Sequence, residues 1–451
     1  MATVTVVGAS GDILPITVNG AAALSIAQLY VATVNDIAFS GGLAASNLNP
    51  GQAPAAVPTG EIGEGVITAP GSYDFPVGYN YVTISTDMPV TLNEATIAVS
   101  TSVLASAGGT TLYGGSGGGF FTAGGGNNLF SGGRGNYVVT LGDGNNSVYG
   151  GTGNDLIQGG AGFNQMFTGA GSDAVFSRGT DQIELGSGNS YVNLTGSNST
   201  VSSSTGASAV VDKGSNNLFV GGPASTNLTA GQSGYYTFSG NATVSGGNGD
   251  TIAAAGNTVV FGGVNATVFE NGPGSLAFIA TAGDDATVGA AGRSASVVGA
   301  AGSNITFLSA GGANRLMAGN GDETLNGGLS TGALALVGGS GNASLIGGSG
   351  ADTLTAGSGN DTLIGGSGDA NTLIFTNSTS GGHTTVADFG INAGDSVDLV
   401  GYGAGEAQQA LATATTTTSG SVISLSDNTN ITFLNLSADQ LKMHSGQFIS
   451  S

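Results

Sequence analysis

Cysteine and tryptophan are absent from this chain of 451 residues, and the basic side chains are limited to six Lys and Arg and two His. Without cysteine, neither a disulfide framework nor a thiolate nucleophile is available. Two His residues are too few for a multi-histidine metal centre, and no HExxH motif occurs. No Lys follows any Gly-rich run, which excludes a phosphate-binding Walker loop. We therefore expect a protein that is not an enzyme.

Positive charge is scarce beside 28 Asp and Glu residues, which gives a formal net charge of −22 and an isoelectric point near 4.1. Nucleic acid is excluded as a partner, because phosphate binding needs clustered Lys and Arg. Divalent cations are the natural counter-charge for such a chain. The alternative interpretation is that the acidity only keeps an exposed protein soluble.

Long apolar runs are also missing. The first residues, MATVTVVGASGDILPITV, lack the positive region and the long apolar region of a secretory signal peptide. No window approaches 18 consecutive apolar residues, so we expect no transmembrane segment.

Glycine, in contrast, is abundant, with 85 residues. Residues 114–176 divide without insertion into seven blocks of nine: GGSGGGFFT, AGGGNNLFS, GGRGNYVVT, LGDGNNSVY, GGTGNDLIQ, GGAGFNQMF and TGAGSDAVF. In every block the second and fourth positions are Gly and the eighth is apolar. The pattern predicts a tight turn and a three-residue strand whose middle side chain points inward.

Two such blocks make one coil of a solenoid, so residues eighteen apart should stack on each other. At the sixth position of the blocks the two edges then differ. One edge has Asn128, Asn146 and Asn164, and the other has Gly119, Tyr137, Asp155 and Asp173. The spacing predicts a ladder of hydrogen-bonded amides on the first edge and two neighbouring carboxylates on the second.

The block GGTGNDLIQ resembles the calcium-binding β-roll of the repeats-in-toxin (RTX) proteins, and so does a second cluster with GGSGNASLI, GGSGADTLT and AGSGNDTLI between residues 338 and 364. The resemblance implies Ca²⁺ held by turn carbonyls and position-six carboxylates. Asp352 and Asp361 are nine apart, so they should lie on opposite edges and need other partners such as Asp369. The expected metal-site residues are Gly151, Gly153, Asp155, Gly169, Gly171, Asp173, Gly348, Gly350, Asp352, Gly357, Gly359, Asp361 and Asp369.

The tail contains TTVADFGINAGDSVDLVGYG, which is similar to the capping and secretion segment that follows many RTX arrays. Asp388, Phe389, Gly394, Asp395, Asp398 and Leu399 are the residues that match. The similarity implies an uncleaved C-terminal signal, a type I exporter as partner and an extracellular or cell-surface location.

These observations predict an all-β fold: a parallel β-roll or β-solenoid with a small mixed N-terminal domain and a β-rich C-terminal cap. The expected domains are an N-terminal head (1–107), a first array (108–193), a degenerate solenoid (194–335), a second array (336–379) and the cap (380–451). The head is either an anchoring or assembly module or only a cap for the first coil. For residues 194–335 a disordered linker is the rival interpretation, but recurring Val, Ile and Phe argue against it.

The expected function is that of a secreted calcium-binding structural protein that assembles with itself into a surface layer or an extracellular filament. The chain consists almost entirely of scaffold, and its composition is similar to that of bacterial surface-layer and matrix proteins. Cell-surface polysaccharide or lipopolysaccharide is a further expected partner. The first alternative is an adhesin or effector that acts through the N-terminal domain. The second, less favoured alternative is a β-helical enzyme that modifies polysaccharides.

Overall fold

The structure is a computed structural model that describes residues 1–291 and 294–451. The chain forms two compact units, Met1–Gly234 and Tyr235–Ser451. In each unit short strands pair in parallel across successive coils, so that every coil contributes to two sheets. The two units together contain about 18 turns of parallel β-solenoid and about 8% helix. The predicted all-β class and solenoid architecture are confirmed.

In the first unit, the sheets of the solenoid are named sheet 1 and sheet 2. Sheet 1 consists of Leu43–Asn47, Ile62–Ile67, Tyr79–Ile84, Thr101–Ala105, Gly119–Thr122, Tyr137–Thr140, Leu156–Gln158, Ala174–Ser177, Ser190–Leu194, Ser208–Asp212 and Thr226–Thr229. Sheet 2 consists of Gly71–Asp74, Val90–Asn93, Thr110–Tyr113, Leu129–Ser131, Asn146–Tyr149, Asn164–Phe167, Gln182–Leu185, Thr200–Ser203 and Leu218–Gly221.

The second unit also has two sheets, named sheet 3 and sheet 4. Sheet 3 consists of Ala242–Ser245, Thr258–Phe261, Leu276–Ile279, Ala295–Val298, Asn314–Met317, Leu334–Val337, Thr353–Thr355, Thr372–Thr376, Ser396–Val400 and Phe448–Ser450. Sheet 4 consists of Tyr235–Phe238, Thr251–Ala254, Ala266–Glu270, Asp285–Ala290, Asn304–Ser309, Glu323–Asn326, Ala343–Ile346, Thr362–Ile364, His383–Val386, Thr415–Thr416, Gly420–Ser424 and Asn430–Leu434.

The eighth residues of the nonads form the core of the first unit. Phe130, Val148 and Met166 stack in sheet 2, each eighteen residues from the next. All seven eighth residues are buried: Phe121, Phe130, Val139, Val148, Ile157, Met166 and Val175. Burying such a side chain contributes roughly 1.5–3 kcal/mol, which the nonad supplies once per block. The predicted inward position and the eighteen-residue register are therefore confirmed.

The N-terminus adds an antiparallel hairpin of Ala2–Val7 and Ile13–Val18, with a 3₁₀ turn at Ala9–Gly11, and an α-helix at Ala21–Phe39. Residues 21–36, AAALSIAQLYVATVND, have apolar residues at helical spacing and few helix breakers, a pattern that predicts this helix. By length and composition this helix could cross a membrane, so the expectation that the chain has no transmembrane segment stays a prediction. A helix that packs on a soluble domain meets the same test. One face of this helix does pack on the hairpin and on the solenoid, through Ala23, Ala27, Tyr30 and Val34.

Parallel coils begin well before the first nonad. Leu43–Asn47 pairs with Ile62–Ile67, and this series continues through Thr101–Ala105 to Gly119–Thr122. These strands belong to the same sheets as the first array. The five domains expected from the sequence remain predictions, and parallel strand pairing continues across each of the four boundaries between them.

The last residues close the second unit with a β-hairpin and three short helices, Glu406–Ala412, Ala438–Met443 and Ser445–Gln447. Phe389, Phe433 and Phe448 contact one another at ring-centroid distances of 5.2–5.7 Å. Asp388 fastens this segment to the final coil, because its two carboxylate oxygens accept the backbone N–H groups of Gly365 and Gly366 at 2.9 and 2.7 Å. Of the residues that resemble a capping segment, Asp388 and Phe389 therefore lie in the closing segment, whereas Asp398 and Leu399 lie in the strand Ser396–Val400 of sheet 3.

Candidate metal sites

The two aspartates of the first array lie on neighbouring coils, as their spacing predicts. Leu156 pairs with Ala174 in sheet 1, which places Asp155 directly beside Asp173. The N–H of Tyr137 donates to Oδ1 of Asp155 at 2.7 Å, and the N–H of Asp155 donates to Oδ1 of Asp173 at 2.8 Å. One oxygen of each carboxylate therefore joins its coil to the preceding coil.

The second oxygen of each carboxylate has no hydrogen-bond partner. Oδ2 of Asp155 and Oδ2 of Asp173 are both buried, and each residue is only 3% exposed. Burial, together with the neighbouring negative charge of Asp173, raises the pKa of Asp155 to about 7. Burial likewise raises the pKa of Asp173. Two buried oxygens without partners are costly unless a cation or a proton neutralises them. Hard carboxylate and carbonyl oxygens are the ligands that Ca²⁺ takes, so the residues present fit this ion.

Glycine is required at positions two and four of these blocks for two different structural reasons. Gly151 and Gly169, at the second position, have φ of +102° and +94°, in the region that favours glycine. A Cβ on Gly153 would collide with the carbonyl oxygen of Gly135, and one on Gly171 would collide with that of Gly153. Position four therefore stays free of a side chain because the coils approach each other closely there.

In the second array Asp352 and Asp361 lie on opposite edges, as predicted, and both of their oxygens are satisfied. Asp352 accepts the N–H groups of Leu334 and Gly348 at 2.7 and 2.6 Å. Asp361 accepts those of Ala343 and Gly357 at 2.9 and 2.7 Å. Burial raises the pKa of each carboxyl.

The two arrays differ in whether both aspartate oxygens have hydrogen-bond partners, and this difference correlates with the backbone conformation at position two of the block. Gly348 and Gly357 are outside the left-handed region, and their N–H groups donate to the aspartates of their own blocks. Where Gly151 and Gly169 are left-handed, the aspartate oxygen is left without a partner. Gly350 and Gly359 again have no room for a Cβ against the preceding coil. The first array thus offers the stronger metal site.

Asp369 was predicted as a partner of the second-array aspartates. It is exposed, and its negative charge contributes to the raised pKa of Asp352, after the larger effect of burial. Its N–H donates to the carbonyl of Ser349 at 3.3 Å. Asp369 and Asp352 therefore lie on the same edge, without a direct contact between their carboxylates.

Sequence reasoning missed Glu323, which occupies position six of a further nonad, AGNGDETLN. Glu323 pairs with Ala343 on the next coil, and Asp361 occupies the same position one coil further along. Oε1 accepts the N–H of Gly321 at 3.0 Å, whereas Oε2 is buried without a partner. Burial is the main cause of its raised pKa, and Asp322 and Asp361 add to the effect. Glu323 is therefore a better candidate than Asp369 to share a cation with Asp361.

The asparagine edge forms the predicted ladder. Nδ2 of Asn128 donates to Oδ1 of Asn146 at 2.9 Å, and Nδ2 of Asn146 donates to Oδ1 of Asn164 at 2.8 Å. The same amide of Asn146 also donates to the carbonyls of Gly142 and Gly144, the second and fourth residues of its block. An amide N–H thus occupies the place, among the turn carbonyls, that a cation would take on the aspartate edge.

Two details of this ladder were not predicted. It ends on Asp181, whose Oδ1 accepts from Nδ2 of Asn164 at 2.8 Å, only seventeen residues further along the chain. Asparagines at position five of the same edge also join the coils, because Oδ1 of Asn127 accepts the N–H of Asn145, and Oδ1 of Asn145 accepts the N–H of Phe163. The recurrent Asn at position five was the available signal.

Among residues 1–291 and 294–451, no three His, Asp or Glu side chains converge as a metal-binding group. The candidate sites therefore combine one or two carboxylates with turn carbonyls.

Comparison with protein families finds a match to the RTX calcium-binding nonapeptide repeat (4 copies) at residues 104–139, 140–175, 308–331 and 337–370. These ranges include Asp155, Asp173, Glu323, Asp352 and Asp361. No curated protein and no solved structure matches the chain significantly. The family match covers the nonads in which the structure places the position-six carboxylates.

Proposed function

Since the chain is an RTX-type calcium-binding repeat protein, we propose that it is a secreted, non-enzymatic structural protein whose copies assemble into a surface layer or an extracellular filament. The observation that supports calcium-dependent folding most directly is the pair of buried, unpartnered oxygens on Asp155 and Asp173. Extracellular calcium modules bind the ion with dissociation constants of roughly 10⁻⁴ to 10⁻³ M, which cytosolic calcium does not reach. The aspartate coils would then become stable only outside the cell.

The architecture supports a structural role. Most strands of both units belong to the solenoid, which gains buried core with each added coil and needs no large globular domain. A chain of net charge −22 repels its own copies, and calcium reduces that repulsion where it binds. Assembly should therefore depend on calcium as well as on the folded coils.

Calcium-dependent assembly is tested by electron microscopy and circular dichroism of the purified protein, with chelator and with millimolar calcium. We expect weak β signal and no assemblies in chelator, and β signal with ordered sheets or filaments in calcium. Dispersed monomers in calcium would contradict assembly and favour an adhesin that acts through its N-terminal part. An unchanged β spectrum without metal would contradict calcium-driven folding.

Export is proposed to use a type I exporter that reads the C-terminal segment, and cell-surface polysaccharide is the proposed anchor. Removing residues 380–451 should abolish export, although it also removes the cap seen in the structure. A matched variant, Asp388→Ala, disturbs the cap contacts while keeping the rest of the segment. If Asp388→Ala is exported and the deletion is not, loss of the signal is the cause. Mass spectrometry of the secreted protein should show the encoded N-terminus, and a shortened one would contradict this route.

A further inference from the structure

The outer surface of sheet 2 has a column of aligned side chains, one from each coil, which we name the aromatic column. Parallel pairing places these residues in register along the first unit. In order, the column consists of Asp74, Asn93, Tyr113, Ser131, Tyr149, Phe167 and Glu184. None of these residues is used by the core or by the candidate metal sites.

The rings of this column present open faces. Tyr149 and Phe167 stack at a centroid distance of 4.9 Å and an interplanar angle of 3°, so their planes face each other along the column. Phe167 covers one face of Tyr149, and the opposite face is directed to the space above Ser131. Tyr113 borders that space from the other side, and the two tyrosines are 43% and 46% exposed. Since strands are about 4.8 Å apart, the two tyrosine backbones are separated by roughly 9–10 Å, enough for one ring between them.

A polar groove adjoins Tyr113 on its other side. It has a volume of about 350 Å³ and is lined by Ser72, Tyr73, Asp74, Thr91, Asn93 and Tyr113. Nδ2 of Asn93 donates to Oδ1 of Asp74 at 3.1 Å, which holds an amide and a carboxylate side by side. The surface therefore combines ring faces with grouped hydrogen-bonding side chains.

The chemistry of this surface matches a sugar chain. An aromatic face packs against the C–H face of a pyranose ring, and a paired carboxylate and amide bind neighbouring hydroxyl groups. The adjacent outward column adds the hydroxyl groups of Thr111 and Ser147 and the amide of Gln165. Neither column contains a basic residue over these coils, and Asp74 and Glu184 are negative, so an acidic glycan would be repelled.

We propose that the aromatic column binds a neutral polysaccharide, with sugar rings stacked on Tyr113 and Tyr149 and hydroxyl groups bound by Asp74 and Asn93. The proposal specifies the surface and the glycan class for the polysaccharide anchor of the proposed function, and in that respect it rests on that function. Binding itself requires only the folded first unit, not an assembled layer.

The test is isothermal titration calorimetry of the full chain in millimolar calcium with cellohexaose, maltohexaose and mannohexaose, and with oligogalacturonate as the acidic probe. We expect at least one neutral hexasaccharide to bind, and Tyr149→Ala to weaken it roughly ten-fold. The matched control is Tyr235→Ala, a tyrosine that is 48% exposed in the second unit, and it should leave the affinity unchanged.

Failure of all three neutral probes to bind would overturn the proposal, and so would tighter binding of oligogalacturonate. An equal loss in Tyr149→Ala and Tyr235→Ala would show that the column is not the site. Circular dichroism of each variant in calcium controls for folding, and Tyr149→Phe, which keeps the ring, should retain most of the affinity. Binding by dispersed monomers would support this proposal even if electron microscopy found no assembly, so the two failures are distinguishable.

Discussion

Replacing Asp155 with Asn should stabilise the metal-free coils and remove their response to calcium. Oδ1 of Asp155 accepts the N–H of Tyr137, and an Asn oxygen can keep this bond. The buried Oδ2, which has no partner, becomes an amide that donates hydrogen bonds. Asn146 shows the expected outcome, because its Nδ2 donates to the carbonyls at positions two and four of its own block. The equivalent acceptor in the variant is the carbonyl of Gly153, whereas the carbonyl of Gly151 already accepts the N–H of Ala170 at 2.9 Å.

The expected stabilisation of the metal-free variant follows from the pKa of Asp155, which burial raises from 3.8 to about 7. Because the folded pKa lies above the unfolded value, metal-free stability is highest at low pH. It falls as the pH rises from about 4 to about 7, and the cost is fully present at pH 8. The full shift corresponds to about 4 kcal/mol, and we take about half of that value, about 2 kcal/mol, as the expected cost. The Asn variant has no charge to bury and should recover that amount.

Amide hydrogen exchange at Tyr137 and Asp155 is the appropriate assay, because solenoids do not unfold in a single step. In chelator at pH 8 the variant should exchange about 30-fold more slowly than the wild type, which corresponds to about 2 kcal/mol. Calcium should slow exchange in the wild type and leave the variant unchanged. Asp143→Asn is the matched control, since Asp143 accepts a backbone N–H from Ala161 on the other edge. Faster exchange in the variant in chelator, or an intact calcium response, would refute the reasoning.

Three further variants test separate parts of the structure. Asn146→Ala should lower the free energy of unfolding by about 1–3 kcal/mol, because it leaves buried ladder groups unpaired. Calorimetry should show an unchanged calcium stoichiometry, and the loss of a calcium ion would show that a metal binds at the asparagine edge. Glu64 is buried with a pKa raised to about 7 by burial, so the wild type should lose stability from pH 4 to 7. Glu64→Gln should show a smaller decline than the wild type over that range in thermal melts, because other buried carboxyls such as Glu94 still titrate there, and an equal decline in both proteins would count against this residue. Phe130→Ala should lower the stability of the coils around it by about 3–5 kcal/mol, because it removes a buried aromatic side chain. Amide exchange should become faster only in neighbouring coils, and uniformly faster exchange along the chain would contradict local stacking.

The sequence by itself determined the coil, its register and the asymmetry of its edges in the first array. A nonad that repeats without insertion leaves only one way to stack eighteen-residue coils with the eighth residues inside, so Asp155 must meet Asp173 and Asn128 must meet Asn146. Both pairs are found in the structure. The helix at Ala21–Phe39 was also predictable from the spacing of its apolar residues.

Only the tertiary structure decided which carboxylates remain without partners. Asp173 and Asp352 occupy the same position of similar blocks, yet one has an unpaired oxygen and the other does not, because the backbone at position two differs. The number of residues in a coil also cannot be inferred from the local spacing of the repeat. Glu323 is twenty residues from its partner Ala343, whereas Ala343 is eighteen residues from Asp361. Turns of different lengths can close the same coil, and only packing against neighbouring coils determines which residues finally meet.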